Sequence, residues 1–348
     1  MNLRQLADHL GLSQTTVSRA LNGYPEVSAA TRKRVEEAAR RHNYVPNTRA
    51  KSLATGRTMS IAHIIPVSTQ HEMVNPVFAD FIAGASDVYS RAGYDMLLSV
   101  VSDPEEAKVY RSIAARRNVD GILVHAPRRN DARPDLLAAL NLPYVVHGRF
   151  SERADGYSWV DMNNRRAFER ATRFLIELGH RRIALVNGLA DMDFAIRRHD
   201  GYRRAHVAAG LTPDPDLVRW DEMTETHGHR SAAELLARRA PPTAFLTSSI
   251  ISAIGVRRAC VERALRIGQD VSIITHDDDL SYFRNDEAEP TFTALRSPIR
   301  EHGRQAAQML LDIIATPQAA PMHRLLEADL TLGRSTGPAP RQDEGHPA

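Results

Sequence analysis

Residues 12–22 read LSQTTVSRALN and are rich in side chains that can hydrogen-bond to the edges of bases. A helix over this segment turns Val17, Ala20 and Leu21 inward. The outward polar residues are then Gln14, Thr15, Ser18, Arg19 and Asn22. Hydroxyl and amide groups of this size fit the major groove, and an arginine there pairs bidentately with guanine. The segment is therefore either a poorly optimised solvent face or a surface that reads DNA.

The charge of the chain is uneven. Residues 1–60 hold ten Lys and Arg against four Asp and Glu, a net charge of +6, whereas the whole chain carries +3 and the remainder therefore −3. A basic segment on a mildly acidic body suits a polyanionic partner such as DNA. A solvated charged face is the alternative interpretation of the same composition.

Three short helices are predicted for the basic segment. Apolar residues at i, i+3, i+4 and i+7 spacing from Leu3 to Leu10 predict the first helix, which Gly11 ends. Ser13 and Ser28 can cap the second and third helices. Two helices joined by a short turn and braced by a third predict a helix-turn-helix. Its hydroxyls and helix N-termini can also hold phosphate groups.

The residues expected to contact bases or phosphates in the major groove are Ser13, Gln14, Thr15, Thr16, Ser18, Arg19, Asn22, Ser28 and Thr31. Residues 3–22, followed by VSAATRKRVEEAARRHNYVPN, resemble the DNA-binding domain of LacI (lactose repressor) family regulators. The resemblance implies an N-terminal all-α helix-turn-helix domain over residues 1–46. It also implies a sequence-specific DNA-binding transcriptional regulator, which we expect to be a repressor.

Residues 47–58 follow this domain, and their sequence by itself is compatible with a plain linker. In the resembling family this segment is a hinge helix that folds on DNA and enters the minor groove. The residues to which the resemblance assigns this role are Tyr44, Asn47, Ala50 and Leu53. Leu53 is expected to act as an apolar wedge that kinks the duplex.

The rest of the chain alternates β-rich runs with helical stretches. The predicted strands are 61–67, 95–101, 120–126, 143–148, 182–188, 243–249 and 270–278. Alternation of this kind predicts doubly wound parallel sheets, and the two sets of strands predict two α/β subdomains. We expect one effector-binding and dimerisation domain over 59–335, with the chain crossing between subdomains near 150–160 and 280–300. A disordered tail is expected over 336–348.

The sequence of this body gives little support to an enzymatic function. No Gly-x-Gly-x-x-Gly follows the first strand, and the sequence has neither a phosphate-binding Gly-x-x-x-x-Gly-Lys-Ser/Thr nor a Gly-x-Ser-x-Gly elbow. His227 and His229 resemble a metal pair, but nothing nearby completes a ligand set. The run Asp277–Asp279 fits a polar strand end better than a metal site. We therefore expect no enzyme, no metal and no cofactor.

A ligand cleft is better supported, because ligands of open α/β sheets bind beyond the carboxyl ends of the strands. Polar residues at those positions are His125, His147, Ser248, Ser249, His276 and Asp277. Groups of these types suit a polyhydroxylated molecule.

The body is similar to the periplasmic-binding-protein-like effector domain of the same family, through segments such as NPVFADFIAGASDVYSRAGYDMLLS and LGHRRIALVNG. The resemblance covers nearly all of residues 1–336 and implies a small-molecule sugar effector in the cleft. It assigns effector contacts to Asn75, Phe78, Arg198 and Asp277. The alternatives are a salt-bridged surface arginine at 198 and a buried, hydrogen-bonded turn residue at 277.

Three positions in the expected pocket depart from the family. His147-Gly148-Arg149 stands where Ile-Asp-Arg is common, Ser248-Ser249 replaces Asn-Asp, and Thr275-His276 replaces Gly-Tyr. The block THDDDLSYFRN is similar to repressors of α-glucoside uptake operons. This similarity points to a disaccharide such as sucrose, maltose or trehalose.

The sequence shows no signal peptide and no run approaching the ~18 apolar residues of a membrane span. The one cysteine, Cys260, excludes an internal disulfide and fits a reducing compartment. We expect a cytoplasmic homodimer without a membrane partner, whose two heads bind half-sites of a pseudo-palindromic operator in double-stranded DNA. Two other functions stay open: a sugar-binding protein without regulatory function, and a sugar-modifying enzyme.

Overall fold

The structure is a computed structural model that describes residues 1–44, 57–66, 76–101, 103–150, 155–281, 284–285 and 289–340. The chain divides into two compact units. Residues 1–59 and 117–120 form the first unit, and the remaining residues form the second. Within the described ranges no helix is both long and apolar enough to cross a membrane.

In its described residues, the first unit contains three helices. Its helices are α1 (Leu3–Leu10), α2 (Gln14–Leu21) and α3 (Ala29–Arg41). One side chain from each helix is completely buried in a shared core, namely Leu6, Val17 and Val35. Gly11 ends α1 with a φ of 63°, a left-handed conformation that glycine adopts without strain. The predicted helix-turn-helix and its inward face are confirmed.

Within the ranges given above, the second unit contains two six-stranded sheets. Its strands are β1 (Ser60–Pro66), β2 (Asp95–Val101), β3 (Gly121–Val124), β4 (Tyr144–His147), β5 (Ser158–Met162), β6 (Ile183–Asn187), β7 (Val218–Trp220), β8 (Ala244–Thr247), β9 (Ser272–Asp277), β10 (Thr293–Arg296), β11 (His323–Leu326) and β12 (Asp329–Thr331). Its helices are α4 (Pro76–Arg91), α5 (Asp103–Arg116), α6 (Arg133–Leu140), α7 (Asn164–Glu177), α8 (Asp193–Ala208), α9 (Glu225–Leu236), α10 (Ile250–Val261) and α11 (Ile299–Ala315), with a short 3-10 turn at Pro215–Leu217.

Each sheet is the centre of one subdomain. The first sheet has the order β11-β5-β4-β3-β1-β2, and its paired strands are all parallel. The second has the order β12-β10-β9-β8-β6-β7 and is parallel except for the β10–β12 pair at one edge. Short apolar strands such as β3 and β6 are buried throughout, as parallel strands between helices require. The predicted pair of α/β subdomains is confirmed.

Glycines let helix pairs approach closely at the surfaces of these sheets. On α4, a Cβ at Gly84 would overlap the carbonyl of Arg300, and on α11 a Cβ at Gly303 would overlap the carbonyl of Phe81. A Cβ at Gly201 of α8 would likewise overlap the carbonyl of Arg165 on α7. Backbones in contact leave little room for helices to slide, so the strand ends are held on a rigid frame.

Along the part of the chain that the structure describes, three crossings connect the subdomains, whereas two crossings were expected. The first lies between β5 and α7, slightly beyond the expected range 150–160, because Ser158–Met162 forms a strand that the sequence analysis did not assign. The second, between β10 and α11, lies within the expected range 280–300. The third was missed because the short exposed strands β11 and β12, which join different sheets, carry no clear apolar pattern.

The disordered tail was expected over 336–348, but its first residues are hydrogen-bonded to the body. Thr336 lies 2.7 Å from the hydroxyl of Thr293, and the N–H of Gly337 donates to Ser272 Oγ at 3.1 Å. The N–H of Ala339 donates to the carbonyl of Leu178 at 2.8 Å. Residues 336–339 therefore belong to the second subdomain, and 341–348 lie outside the described residues.

Candidate functional site

Helix α2 presents a polar face to solvent. Gln14, Thr15 and Arg19 are exposed, and Ser18 is half-buried. Asn22 ends the helix by donating its amide to the carbonyl of Ser18 at 2.9 Å. Gln14, Thr15, Ser18 and Arg19 therefore form the outward face, as the sequence analysis expected, and their contacts with DNA remain a prediction.

The predicted caps are confirmed, with a consequence for phosphate binding. Ser13 Oγ accepts from the N–H of Thr16 at 3.1 Å, and Ser28 Oγ accepts from the N–H of Thr31 at 3.2 Å. The paired hydroxyls also lie within hydrogen-bond distance of each other, at 2.8 and 2.9 Å. These four hydroxyls stabilise helix starts in the first place, and any phosphate contact shares them with that role.

The hinge prediction falls mostly outside the described residues, as Asn47, Ala50 and Leu53 do. Tyr44 is half-buried and lines a shallow groove beside Leu21 at the end of α3. Partial burial raises the pKa of the Tyr44 hydroxyl.

A cavity of about 410 Å³ lies between the two subdomains, at the carboxyl ends of their strands. Six of the eight predicted effector residues line it: Phe78, His125, His147, Arg198, Ser248 and His276. Asn75 lies outside the described residues, and Asp277 is not part of the wall. Polar residues that the sequence analysis missed include Asp161, Asn164, Asp278 and His302.

Arg198 is a buried cation at the cavity wall, only 6% exposed. Its Nε donates to Asn164 Oδ1 at 2.7 Å, and its Nη1 donates to the main-chain carbonyl of Ser248 at 2.6 Å. The guanidinium also lies 5.0 Å from the ring centre of Phe168 and 4.8 Å from that of Phe194. Burial lowers its pKa to about 10, so it stays charged at neutral pH. The alternative of a surface salt-bridged arginine is therefore wrong.

Asp278, not Asp277, is the carboxylate that most favours the charged form of Arg198. Asp278 lies 3.3 Å from His276 Nδ1, and both line the cavity. Burial alone would raise the pKa of Asp278, but His276 and Arg198 together hold it below its usual value. Asp277 instead accepts a hydrogen bond from the N–H of Asp279 at 2.9 Å. Asp277 is therefore placed as a buried turn residue, and its contact with an effector stays a prediction.

Imidazoles form much of the opposite wall. His147 stacks on Phe81 with ring centres 4.1 Å apart, and Phe78 meets His125 edge-on at 4.9 Å. His302 lies 3.0 Å from the hydroxyl of Ser297. Burial lowers the pKa of His147 to about 3 and that of His302 to about 4. These rings are therefore neutral near pH 7, and each offers both a donor and an acceptor.

Two further carboxylates of the cavity have arginine partners. Asp161 accepts from Arg149 Nε at 2.7 Å, and Asp193 accepts from Arg197 Nε at 2.5 Å. Asp161 belongs to β5 of the first subdomain, whereas Asp193 begins α8 of the second. Burial raises the pKa of Asp161, although Arg149 opposes the shift.

Short segments of the two subdomains bind each other beside the cavity. The N–H of Asp193 donates to the carbonyl of Pro127 at 3.0 Å, and the N–H of Arg129 donates to the carbonyl of Asp191 at 3.0 Å. The guanidinium of Arg128 lies 3.6 Å from the Asp191 carboxylate. These bonds can form only while the cleft is closed at this edge.

Comparisons with known proteins support both halves of the chain. A model of bacterial regulatory proteins of the lacI family matches residues 2–47, and a model of a periplasmic binding protein-like domain matches residues 172–336. The HTH-type transcriptional regulator AglR of Rhizobium meliloti (strain 1021) is 43% identical over 340 residues, covering 98% of this chain and 95% of AglR.

Two more comparisons concern regulators called CelR. The HTH-type transcriptional regulator CelR of Thermobifida fusca is 32% identical, covering 96% of this chain and 97% of that protein. A solved structure of a transcriptional regulator CelR–cellobiose complex has 30% identity and a TM-score of 0.71, covering 96% of this chain and 99% of that one.

The pH dependence of stability tests the place of Asp277. Burial, reinforced by Asp278 and Asp279, raises its pKa to about 6, above the usual ~3.9 of an unfolded aspartate. The folded state thus holds this proton more tightly, and its stabilising effect is lost as the pH rises from about 4 to about 6. Over that range we expect the free energy of unfolding to fall by about 2 kcal/mol more in the wild type than in Asp277→Asn.

Urea denaturation at pH 4.0, 5.0, 6.0 and 7.0 measures this difference. Asp216→Asn, which removes an exposed carboxylate, is the matched control. A difference between wild type and Asp277→Asn that stays constant with pH would contradict the buried placement of Asp277.

Proposed function

The chain belongs to the LacI family of bacterial transcriptional regulators, and on that premise we propose that it is a repressor controlled by a neutral α-glucoside disaccharide. Its function as a sequence-specific DNA-binding regulator follows from the family. The alternatives of a sugar-modifying enzyme and of a sugar-binding protein without regulatory function are set aside for the same reason. The observation that carries the proposed ligand is the composition of the cavity wall.

The wall combines apolar faces with a few hydrogen-bonding groups, as small-molecule sites do. Phe78, Phe194, Met192 and Met223 offer apolar surface for the faces of sugar rings. Arg198 and Asp278 then supply a cation and an anion on the same side of the cavity, a combination that suits neighbouring hydroxyl groups. A volume of about 410 Å³ accommodates a disaccharide.

The charge of the wall argues for a neutral ligand. Arg198 is the one arginine among the described lining residues, and no lysine accompanies it. Five carboxylates line the same cavity: Asp161, Asp193, Glu222, Glu225 and Asp278. A phosphorylated sugar would find one lining cation, Arg198, whose bonds already go to Asn164 and Ser248, and burying the phosphate charge would cost free energy.

The disaccharide is supported by two independent similarities. The segment 275–285, THDDDLSYFRN, is similar to repressors of α-glucoside uptake operons. The CelR structure is a complex with cellobiose, itself a disaccharide. We therefore infer an uptake or utilisation operon for an α-glucoside as the target of regulation, with the protein acting in the cytoplasm where that DNA is found.

The proposed mechanism couples closure of the cleft to DNA binding. Three chain crossings link the subdomains, and the bonds between segments 127–129 and 191–193 stabilise one closed arrangement. A ligand that touches both walls changes the free energy of closure, and hinge rotation of this kind is a common switch. Coupling between sites of this type amounts to ~1–3 kcal/mol.

The proposed homodimer is supported by an apolar edge of the first sheet. Strand β2 lies at that edge, and its Leu97, Leu98 and Val100 are 38%, 45% and 44% exposed. Unpaired apolar edge strands are surfaces that a second chain can cover. We propose that two copies pair here, which places two helix-turn-helix heads on one pseudo-palindromic operator.

A sugar screen with a variant of the wall tests the ligand. Maltose, sucrose and trehalose are each added to the protein, alongside cellobiose, glucose and trehalose 6-phosphate, and the melting temperature is followed. We expect at least one neutral α-glucoside to raise the melting temperature and trehalose 6-phosphate to have no effect. Asp278→Asn should lose at least tenfold in affinity for the active sugar, because a charged hydrogen-bond partner is removed. Asp277→Asn should keep that affinity.

Stabilisation by the phosphorylated sugar alone would overturn the proposed ligand. Equal losses in Asp277→Asn and Asp278→Asn would contradict the assignment of Asp278. Operator binding in the absence of sugar should stay within about twofold of wild type in both variants, since neither residue belongs to the DNA-binding unit.

A second prediction concerns Arg19 on α2. Arg19→Ala should weaken binding to the operator by ~1–3 kcal/mol and relax base preference at one position of each half-site, because a bidentate contact to guanine is lost. Arg41→Ala, which removes an exposed arginine at the end of α3, is the control. Fluorescence anisotropy on the operator and on random DNA measures both. An equal loss on the two DNAs for Arg19→Ala would show a phosphate contact instead of a base contact.

A further inference from the structure

A chain of three buried side chains runs from the core of the first subdomain to the cavity. Tyr89 of α4 places its hydroxyl 3.2 Å from Nε2 of His63, which lies on β1. His63 Nδ1 lies 3.1 Å from Nε2 of His125, at the end of β3. Tyr89, His63 and His125 are 1%, 0% and 3% exposed, so bulk water does not compete for these bonds.

The direction of the hydrogen bonds in this chain follows from the tyrosine. Among the described residues, His63 is the one hydrogen-bond partner of the buried Tyr89 hydroxyl, and we infer that the O–H donates to His63 Nε2, because its proton would otherwise be unpaired in the core. A neutral imidazole carries one N–H and one lone pair, which places the His63 proton on Nδ1. His63 Nδ1–H then donates to His125 Nε2. The proton of His125 therefore lies on its Nδ1.

This series of hydrogen bonds ends at His125 Nδ1. His125 Nδ1 is buried and has no hydrogen-bond partner among the described residues, while the ring of His125 lines the cavity. A buried N–H without an acceptor costs free energy, which a suitably placed oxygen recovers. We propose that the Tyr89–His63 pair fixes His125 as the Nδ1–H tautomer, so that His125 donates a hydrogen bond to an oxygen of the bound sugar, directly or through one water.

Tyr89 and His63 are positioning residues in this account, because neither lines the cavity. Their effect on the ligand is a choice of polarity: at His125 the site donates a hydrogen bond to an oxygen and disfavours a ligand group that can only donate. The step that concerns the ligand rests on the proposed sugar-binding function. The tautomer itself does not, since it is set within the protein.

The side chains of His63 and His125 stay neutral over the physiological pH range. Burial lowers the pKa of His63 to about 3, and burial, with His63, His147 and Arg133 nearby, lowers the pKa of His125 well below its usual value. The aromatic neighbours Phe78 and Phe81 carry no titrating group. The tautomer of His125 should therefore not change between pH 6 and pH 8.

Nitrogen-15 NMR of histidine-labelled protein tests the tautomer without any ligand. The wild type should show a protonated Nδ1 and an unprotonated Nε2 at His125, assigned by substitution of that residue. Tyr89→Phe keeps the ring and removes the O–H, so His125 should become a mixture of both tautomers. Tyr110→Phe is the matched control, because Tyr110 is also buried in the first subdomain but donates to Glu106, and among the described residues its hydroxyl bonds neither His63 nor His125. It should leave His125 unchanged.

Affinity provides the second readout. The protein is titrated calorimetrically with maltose, or with whichever sugar of the α-glucoside panel stabilises the wild type most. The dissociation constant should be threefold to tenfold larger for Tyr89→Phe and unchanged for Tyr110→Phe. A wild-type His125 protonated at Nε2 overturns the proposal, as does unchanged sugar affinity in Tyr89→Phe. If no sugar binds the wild type, the proposed ligand fails, while the NMR measurement still decides the tautomer.

Discussion

The burial of one cation, Arg198, organises the cavity. A guanidinium taken out of water is stable only if its N–H groups find acceptors, and Asn164 and the carbonyl of Ser248 provide them. Asn164 is the first residue of α7, and Ser248 directly follows the end of β8. The position of Arg198 therefore depends on both elements. Asp278 adds an opposing charge, and each of the two groups favours the charged form of the other. The site therefore presents hydrogen-bonding groups that are already fixed before a ligand arrives.

Preorganisation of this kind extends across the cleft. Asp161 and Asp193 lie on different subdomains, each held by its own arginine, and the backbone bonds between segments 127–129 and 191–193 join the two walls beside them. The affinity of a ligand in the cavity therefore depends on the relative position of the two subdomains. Control of DNA binding requires only that this position differ between the DNA-bound and free states.

The fold was predictable from the sequence because apolar runs and glycine stops mark their elements clearly, as from Leu3 to Gly11 and along β6. The third crossing was not, since β11 and β12 are short, exposed strands that pair only through tertiary contact. Within the site, strand ends identified His125, His147 and His276. The place of Asp278 in the cavity wall was missed because neighbouring residues of a strand point in opposite directions, and the sequence alone does not fix where the strand ends. His302 was missed because it lies on a helix.

The central claim is that one small molecule in the cleft is energetically coupled to operator binding. Its most direct test is the dissociation constant of the active sugar measured twice, once on the free protein and once on protein saturated with operator DNA. The two constants should differ by ~5–150-fold, and sugar should change the operator affinity by the same factor. Equal sugar affinities in the two states would contradict it, however tightly the sugar binds.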